Sequence, residues 1–297
     1  MTDTIGIIGL GLIGMAAAER LLAHGMSVIG HDPVFERNEL LAQNGGVSAD
    51  AATIWMEADP VIAAVFDTEQ VADIIEQAPE NTDKRLVVFS TCDPDRMADL
   101  GAQARAKSIE FIEAPLSGTS RQLARGEAVF LVGGDATAAA GLAGIFAVLA
   151  RSHHHVGGLG NGNRTKLAIN LILGLNRAAL AEGLVFAEQI GLAPAEFLEL
   201  ARGSAAASQV MDIKGPLMVA RDFAPQGRVS QSAKDFNLMR DAALACGQRL
   251  PFAELYLTMM QDCIDHGEAD LDNAAIIKAL ARARSDITPA HTKGPDY

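Results

Sequence analysis

The first half of the chain alternates short apolar runs with longer amphipathic stretches. The apolar runs are rich in β-branched residues and bounded by Gly, Pro, Asp or Ser, which is typical of buried strands in a parallel sheet. The amphipathic stretches are long enough to be helices, so the order of elements is that of an α/β domain. The predicted strands are residues 4–8, 27–31, 61–66, 86–90, 109–112 and 128–132.

The pattern changes near residue 163, and no strand signal recurs after it. Residues 165–190 contain no proline and few charges, and their Ala/Leu-rich composition predicts one long helix that is apolar on nearly all sides. Such a helix must be buried between domains or subunits, so it joins a predicted first domain, 1–162, to an all-helical domain, 163–297. Further helices are predicted at 194–203, 231–246, 251–266 and 272–284, with a loose tail after residue 287.

Charge and composition narrow the class of protein. The 297 residues include 24 Lys+Arg and 37 Asp+Glu, a formal net charge of −13, without any run of five Lys/Arg. This balance argues against nucleic acid and anionic membranes as partners. Hydrophobic residues make up 49% of the chain, which predicts folded domains. Three cysteines without a C-x-x-C pair fit a reduced cytosol, and no apolar run approaches the roughly 20 residues of a membrane span, so a cytoplasmic protein is expected.

A glycine-rich turn follows the first predicted strand and precedes a good helix sequence. It has the pattern G-x-G-x-x-G, which in this position predicts a pyrophosphate site at the N-terminus of the helix. The alternative, a glycine turn that binds nothing, is disfavoured by the strand and helix on either side. The predicted cofactor-binding residues of this turn are Gly9, Gly11, Leu12, Ile13 and Gly14.

Asp32 directly follows the second predicted strand, at the distance from the glycine turn expected of a ribose-binding acid. A carboxylate can accept hydrogen bonds from a ribose hydroxyl but would repel a 2′-phosphate. Pro33 follows, so no arginine stands next to Asp32 to neutralise a phosphate, although Arg37 lies a helix turn further on. The predicted cofactor is therefore NAD, with NADP as the alternative.

A second glycine-bearing stretch, 157–162, opens the long helix and is followed by Lys166 and Asn170. These two residues are four apart and share one helix face. A lysine in the first turn of a helix opposes the helix dipole, so helix stability does not explain it. A partly buried lysine is a ready general acid/base, which makes Lys166 the predicted catalytic residue; the alternative is a solvated surface charge.

Four ordered motifs together resemble a known family. They are the glycine turn, E-A-P-L-S-G-T at 113–119, G-x-G-x-x-x-K-x-x-x-N at 160–170 and K-D-F-N-L at 234–238. This set is similar to the β-hydroxyacid dehydrogenases, typified by 3-hydroxyisobutyrate dehydrogenase. The resemblance implies a Rossmann-type N-terminal domain, an all-α C-terminal domain and an active site in the cleft between them.

The resemblance also implies roles for individual residues. Lys166 would be the catalytic lysine, and Asn170 would help to hold the substrate. The substrate carboxylate would bind at Ser117, Gly118 and Thr119, for which an ordinary turn at a strand end is the alternative. Thr91 and Lys234 would face the nicotinamide end of the cofactor, with Lys234 also at the substrate. For Lys234 the alternative is a salt bridge with Asp235 or another neighbour.

Departures from the family pattern leave the substrate open. Thr119 stands where the family has a second glycine, Gln122 and Leu123 stand where small residues are common, and Ile169 replaces a frequent asparagine. The run His153 to His155 does not predict a metal site, because consecutive residues of a strand point to alternate faces. No metal is expected.

The predicted reaction is hydride transfer between NAD and a short 3-hydroxy carboxylate or, in reverse, its semialdehyde. One alternative is an imine reductase on the same fold, although such enzymes usually carry another residue at the position of Lys166. The other is a dinucleotide-binding regulatory protein without turnover, which intact Ser117, Lys166 and Asn170 disfavour. The apolar long helix and the Ala/Leu-rich later helices favour a homodimer or homotetramer.

Overall fold

The computed structural model describes residues 4–283 of the protein. The chain divides into two compact units, Met1–Asn170 and Leu171–Tyr297. The division falls inside the long helix rather than at its start. The tail predicted after residue 287, and the last residue of the helix predicted at 272–284, lie outside the described residues.

The first unit contains nine strands and eight complete helices among its described residues. The strands are β1 (Ile5–Ile8), β2 (Val28–His31), β3 (Val47–Ser48), β4 (Val61–Ala63), β5 (Lys84–Val88), β6 (Ile109–Glu113), β7 (Leu116–Ser117), β8 (Ala128–Gly133) and β9 (Ala150–Gly157). The helices are α1 (Leu12–Ala23), α2 (Phe35–Gln43), α3 (Ala51–Glu57), α4 (Thr68–Gln77), α5 (Met97–Ala106), α6 (Ser120–Ala124), α7 (Ala136–Ala140) and α8 (Ala143–Leu149).

The sheet has the order β3-β2-β1-β4-β5-β6-β8-β7, and β9 pairs with β8. The first six strands of this order run parallel, as predicted. The predicted strand at 128–132, which is β8, departs from this parallel pattern, because β8 runs antiparallel to both β6 and β7. The short helix α6 is the only helix between β7 and β8, and so short a connection favours an antiparallel return.

Three strands were not predicted. Two of them, β3 and β7, are only two residues long. The third, β9, contains the histidine run, and most of its residues are exposed or half-buried, as expected of a polar strand with one neighbour. Its His153 ring stacks on Phe146 at 5.1 Å, and Nε2 of His155 lies 3.0 Å from the Gly134 carbonyl oxygen.

Two hydrophobic cores cover the opposite faces of the sheet, because successive strand residues point to opposite sides. Ile7 of β1 belongs to the core that includes α1, α6 and α8, whereas Ile8 belongs to the core that includes α3, α4 and α5. Trp55, the single tryptophan of the chain, is 1% exposed in the second core. Packing in these two cores holds in place the strands whose ends carry the candidate site.

The described part of the second unit is helical, as predicted. Its elements are the later part of α9 (Asn161–Gln189), then α10 (Pro194–Arg202), α11 (Gln209–Ile213), α12 (Gly215–Ala220), α13 (Val229–Ala245), α14 (Pro251–Asp265), a 3₁₀ turn (Asn273–Ala275) and α15 (Ile276–Ala283). The two short helices α11 and α12 were not predicted, because each is too short to show a hydrophobic period. The helix predicted at 272–284 is the 3₁₀ turn followed by α15.

Asp272 is a fully buried hub of the second unit. Its carboxylate lies 2.7 and 2.9 Å from Nζ of Lys214, which is also buried. It accepts further hydrogen bonds from the backbone N–H groups of Gln226, Gly227 and Ala274. One side chain therefore joins the residue between α11 and α12, the segment before α13 and the 3₁₀ turn.

Helix α9 has 29 residues and begins four residues earlier than predicted, at Asn161 rather than Thr165. Within residues 4–283 it is the one helix that is long and apolar enough to cross a membrane, by length and composition alone. Its most apolar window has a mean hydropathy of 1.4 and is 28% buried. Ile172 and Phe186 of this helix are both 63% exposed. The sequence predicts that this helix is buried between domains or subunits. Within the chain only 28% of the window is buried, so burial of its exposed apolar residues against another subunit stays a prediction.

Candidate active site

The glycine turn between β1 and α1 has the geometry of a phosphate-binding loop. Gly9 has a φ of +94°, a backbone conformation that favours glycine. A Cβ at Gly14 would overlap the carbonyl oxygen of Gly9, so close packing of helix on turn requires glycine there. A Cβ at Gly11 would meet nothing within 4 Å, and no side chain caps the helix that follows. The N–H groups at the start of α1 can therefore hold a pyrophosphate beside an open backbone.

Asp32 connects the end of β2 to the glycine turn. It is 3% exposed, and its two carboxylate oxygens accept hydrogen bonds from the backbone N–H groups of Leu10 at 2.8 Å and Val34 at 2.9 Å. Nη1 of Arg37, on α2, lies 3.0 and 3.1 Å from the same two oxygens. The carboxylate is therefore held in place next to the turn, as a ribose-binding acid must be, and Arg37 partly balances its charge.

Lys166 lies in the second turn of α9 and is 7% exposed. Because α9 begins at Asn161, the prediction that placed Lys166 in the first turn was wrong, and the opposition to the helix dipole is weaker than expected. Asn170 is half-buried one turn later on the same face. Arg164, between these positions and the helix start, is exposed and pairs with Asp95 at 2.8 Å. Lys166 is therefore a buried cation, whereas Arg164 on the same helix is a solvated one.

The sequence interpretation missed Glu113 and Asn163, two fully buried polar residues, of which Asn163 precedes Lys166 by three residues. Oε1 of Glu113, at the end of β6, accepts from the Gly162 N–H at 2.9 Å. Oε2 accepts from the backbone N–H and from Nδ2 of Asn163, at 3.3 and 2.5 Å. Burial raises the pKa of Glu113, and the hydrogen bonds from Asn163 and Gly162 oppose that rise. The available signal was an acid at the end of a buried strand, which requires a partner.

Three predicted site segments follow the carboxyl ends of parallel strands. The glycine turn follows β1, Thr91 follows β5, and Ser117 follows β6. Cys92, next to Thr91, donates its N–H to Oδ1 of Asn163 at 2.8 Å, which ties the loop after β5 to the start of α9. Open α/β sheets bind their ligands at this edge, so the arrangement supports a nucleotide and substrate site here.

Comparison with known proteins agrees with this geometry. A family described as the NAD binding domain of 6-phosphogluconate dehydrogenase matches residues 4–158, and one described as NAD-binding of NADP-dependent 3-hydroxyisobutyrate dehydrogenase matches residues 160–280. The 2-hydroxy-3-oxopropionate reductase of Escherichia coli (strain K12) is 30% identical in an alignment of 284 positions that covers 93% of this chain and 96% of that protein. The chain belongs to the β-hydroxyacid dehydrogenase family.

Two further relatives are similar to this β-hydroxyacid dehydrogenase over nearly all of its length. Glyoxylate/succinic semialdehyde reductase 1 of Arabidopsis thaliana is 28% identical over 295 residues, covering 94% of this chain and 99% of that protein. The crystal structure of 3-hydroxyisobutyrate dehydrogenase from Salmonella typhimurium has a TM-score of 0.84 and 25% identity, covering 93% and 99% of the two chains. The protein is thus an NAD(P)-binding oxidoreductase of this family, with the Rossmann-type and all-helical arrangement predicted.

The departure from the family pattern at Thr119 has a structural cause in this β-hydroxyacid dehydrogenase. Thr119 caps α6: its hydroxyl accepts from the Gln122 N–H at 3.2 Å, and its own N–H donates to Oε1 of Gln122 at 2.9 Å. The two unusual residues therefore form a reciprocal capping box. The Thr119 N–H, one of the backbone groups of the turn predicted to hold a substrate carboxylate, is used in this cap. Ser117 is half-buried, and Gly118 is exposed with a φ of +147°.

Lys234 lies on α13 in the second unit, with its side chain 15% exposed. Its Nζ is 3.0 Å from Oδ1 of Asp235, so the salt bridge considered as the structural alternative is present. The predicted role of Lys234 toward the nicotinamide and the substrate stays a prediction. Among residues 4–283, no group of three His, Cys, Asp or Glu is placed to hold a metal ion.

Proposed function

We propose that the enzyme oxidises a short 3-hydroxy carboxylate to its semialdehyde, or catalyses the reverse reduction, with Lys166 as the general acid/base. The observation that carries the proposal is a buried lysine on the same helix face as Asn170, at a helix start tied to the loop after β5 and to the last residue of β6. A buried lysine without full hydration gives up its proton more readily than a surface lysine.

In the oxidative direction, Lys166 accepts the hydroxyl proton while the carbinol carbon loses a hydride, so a carbonyl group forms. The nicotinamide, when bound, supplies the acceptor for that hydride. Asn170 orients the hydroxyl, and the turn of Ser117 and Gly118 holds the carboxylate with hydroxyl and backbone N–H donors. The reverse reaction uses the same groups, with Lys166 donating the proton.

Replacing Lys166 tests the proposal. Lys166→Ala should lower kcat by about 10²–10⁴ while the affinity for NAD changes little, since general acid/base catalysis typically contributes that factor. Arg164→Ala is the matched control, because it removes a cation from the same stretch of helix, but an exposed one. Reduction of NAD and NADP would be followed at 340 nm with a panel of small 3-hydroxy acids. A Lys166→Ala enzyme with unchanged kcat would contradict the assignment.

We propose NAD as the preferred cofactor because the Asp32 carboxylate is fixed by two backbone N–H groups and cannot turn away from a 2′-phosphate. Asp32→Ser should shift the ratio of kcat/KM values toward NADP by about tenfold or more, which corresponds to about 1.4 kcal/mol. Arg37→Gln separates the two charges: if Arg37 serves mainly to balance Asp32, its loss should not lower the activity with NADP selectively. A wild-type enzyme that prefers NADP would refute this part of the proposal.

Two other functions predict different outcomes in the same assays. An imine reductase would turn over cyclic imines or a carbonyl with an amine and would remain silent with hydroxy acids. A regulatory protein would bind the dinucleotide tightly and turn over nothing. The lysine at position 166 supports the dehydrogenase over the imine reductase, because imine reductases usually carry another residue there. The buried Lys166 together with Asn170 on the same helix face supports it over the regulatory protein, which needs neither group.

We also propose that the enzyme is a homodimer or homotetramer that associates through α9. Ile172, Ala179 and Phe186 are exposed and seven residues apart, so they form one apolar stripe on the second unit. Phe186→Glu should lower the mass measured by light scattering, whereas Met56→Glu, at a residue 67% exposed on the first unit, should not. A monomeric wild type, or one that sediments with lipid vesicles, would contradict a second copy as the partner.

A further inference from the structure

Glu113 is a buried acid that the proposed reaction does not use. Three of its hydrogen-bond donors, the N–H groups of Gly162 and Asn163 and the Asn163 side-chain amide, belong to the first turn of α9. A carboxylate at the N-terminus of a helix also interacts favourably with the helix dipole. Glu113, at the end of β6, thus holds the start of the helix that carries Lys166.

The surrounding backbone is shaped to fit this side chain. A Cβ at Gly133, on β8, would overlap Oε1 of Glu113. A Cβ at Gly162 would lie 3.0 Å from Cδ of Glu113 and 2.7 Å from the carbonyl oxygen of Leu131. Glycine is therefore required on both sides of the carboxylate, so its position is determined by packing as well as by hydrogen bonds.

Asn163 extends the contact to a third segment. Its Nδ2 donates to Glu113, and its Oδ1 accepts from the backbone N–H of Cys92, the residue after Thr91. Lys166 follows Asn163 by three residues and lies one turn further on the same side of α9. A single carboxylate is connected in this way to the loop that carries Thr91 and to the helix that carries Lys166.

We propose that Glu113 is a positioning residue that, through Asn163, fixes Lys166 and the Thr91 loop relative to each other for hydride and proton transfer. Glu113 itself does not touch the substrate, and the inference rests on the proposed function. A glutamine cannot replace it, because the glutamine NH₂ group would face either the Gly162 N–H or the two donors of Asn163. Small displacements of reacting groups are costly, since about 1 Å can lower a rate about 10²-fold.

Exchanging the carboxylate of Glu113 and the amide of Asn163, singly and together, tests this proposal. Glu113→Gln should lower kcat by about 10- to 100-fold with the KM for the cofactor nearly unchanged, because the glycine turn is not altered. Asn163→Asp should do the same by placing two buried carboxylates together. In the double variant the glutamine can donate to the new aspartate and still accept from Gly162. Only the 3.3 Å hydrogen bond from the backbone N–H of residue 163 is lost, so kcat should recover to within about tenfold of wild type.

Two further measurements keep the outcome decisive. If the single variants do not fold, Glu113→Asp retains the charge but is one methylene shorter, and it should lower kcat while the enzyme still binds NADH. Hydrogen exchange at the Cys92 amide needs no substrate: it should accelerate in Glu113→Gln and slow again in the double variant.

The results separate this proposal from the proposed function. A wild type that turns over no hydroxy acid would count against the proposed function, while amide exchange would still show whether Glu113 holds the loop. Unchanged kcat in folded Glu113→Gln and Glu113→Asp enzymes would overturn the positioning role. A folded double variant whose kcat is no better than that of the single variants would overturn it as well.

Discussion

Replacing Asp272 with asparagine should destabilise the second unit strongly. The substitution preserves the size of the side chain but removes the charge that faces the buried Lys214 ammonium at 2.7 Å. Breaking a buried ion pair by removing one partner typically costs about 3–5 kcal/mol, because an uncompensated charge is left in the interior. A cost of that size would lower the melting temperature of a unit of this length by roughly 10–20 °C.

The structure also predicts an order among variants. Lys214→Met should cost less than Asp272→Asn, because the Asp272 carboxylate would keep three backbone N–H donors. Glu254→Gln is the control: it breaks an ion pair with Arg249 whose side chains are 38% and 73% exposed, and such pairs contribute less than about 1 kcal/mol. Urea unfolding followed by circular dichroism would measure all three. If Asp272→Asn lowers the free energy of unfolding by less than about 1 kcal/mol, Asp272 does not hold the second unit together as described.

Two further predictions concern the first and second units separately. Gly14→Ala should weaken NADH binding at least about tenfold in a fluorescence titration, because the new Cβ overlaps the Gly9 carbonyl oxygen and must move the turn; binding at wild-type affinity would show that the turn tolerates a side chain. Burial raises the pKa of Cys263 to about 12, whereas Cys246 is exposed. At pH 8 a thiol reagent should therefore label Cys246 in the folded protein and Cys263 only after unfolding, and equal rates by mass spectrometry would contradict this.

The parts of the fold and site that could be predicted are those that local sequence determines. The turn of Gly9, Gly11 and Gly14 was predictable because all of its determinants lie within a few residues. They are the end of a strand, a turn that needs the conformational freedom of glycine, and the start of a helix. Asp32 followed from the end of the next strand by the same reasoning. The parallel strands were predictable because their apolar runs are continuous and bounded by turn residues.

The parts that could not be predicted depend on distant residues or on weak local patterns. The contact of Glu113 with Asn163 joins residues 50 apart, and neither position has a period or spacing that indicates it. The capping box of Thr119 looked like a departure from a substrate-binding motif until the partner of each group was known. Among the described strands β9 pairs with β8 alone, and its exposed positions are polar, so its sequence does not resemble that of the buried strands.

Trp55 is an intrinsic fluorescence probe in this enzyme. As the single tryptophan, buried in the core that lines one face of the sheet, it should produce one emission band from one environment. Its emission overlaps the absorption of a reduced nicotinamide, so NADH bound within energy-transfer range would quench it, whereas NAD would not. NADH binding to every variant could then be measured by tryptophan fluorescence without a label. A red shift of the emission band would report unfolding of the first unit alone, because Trp55 lies in that unit.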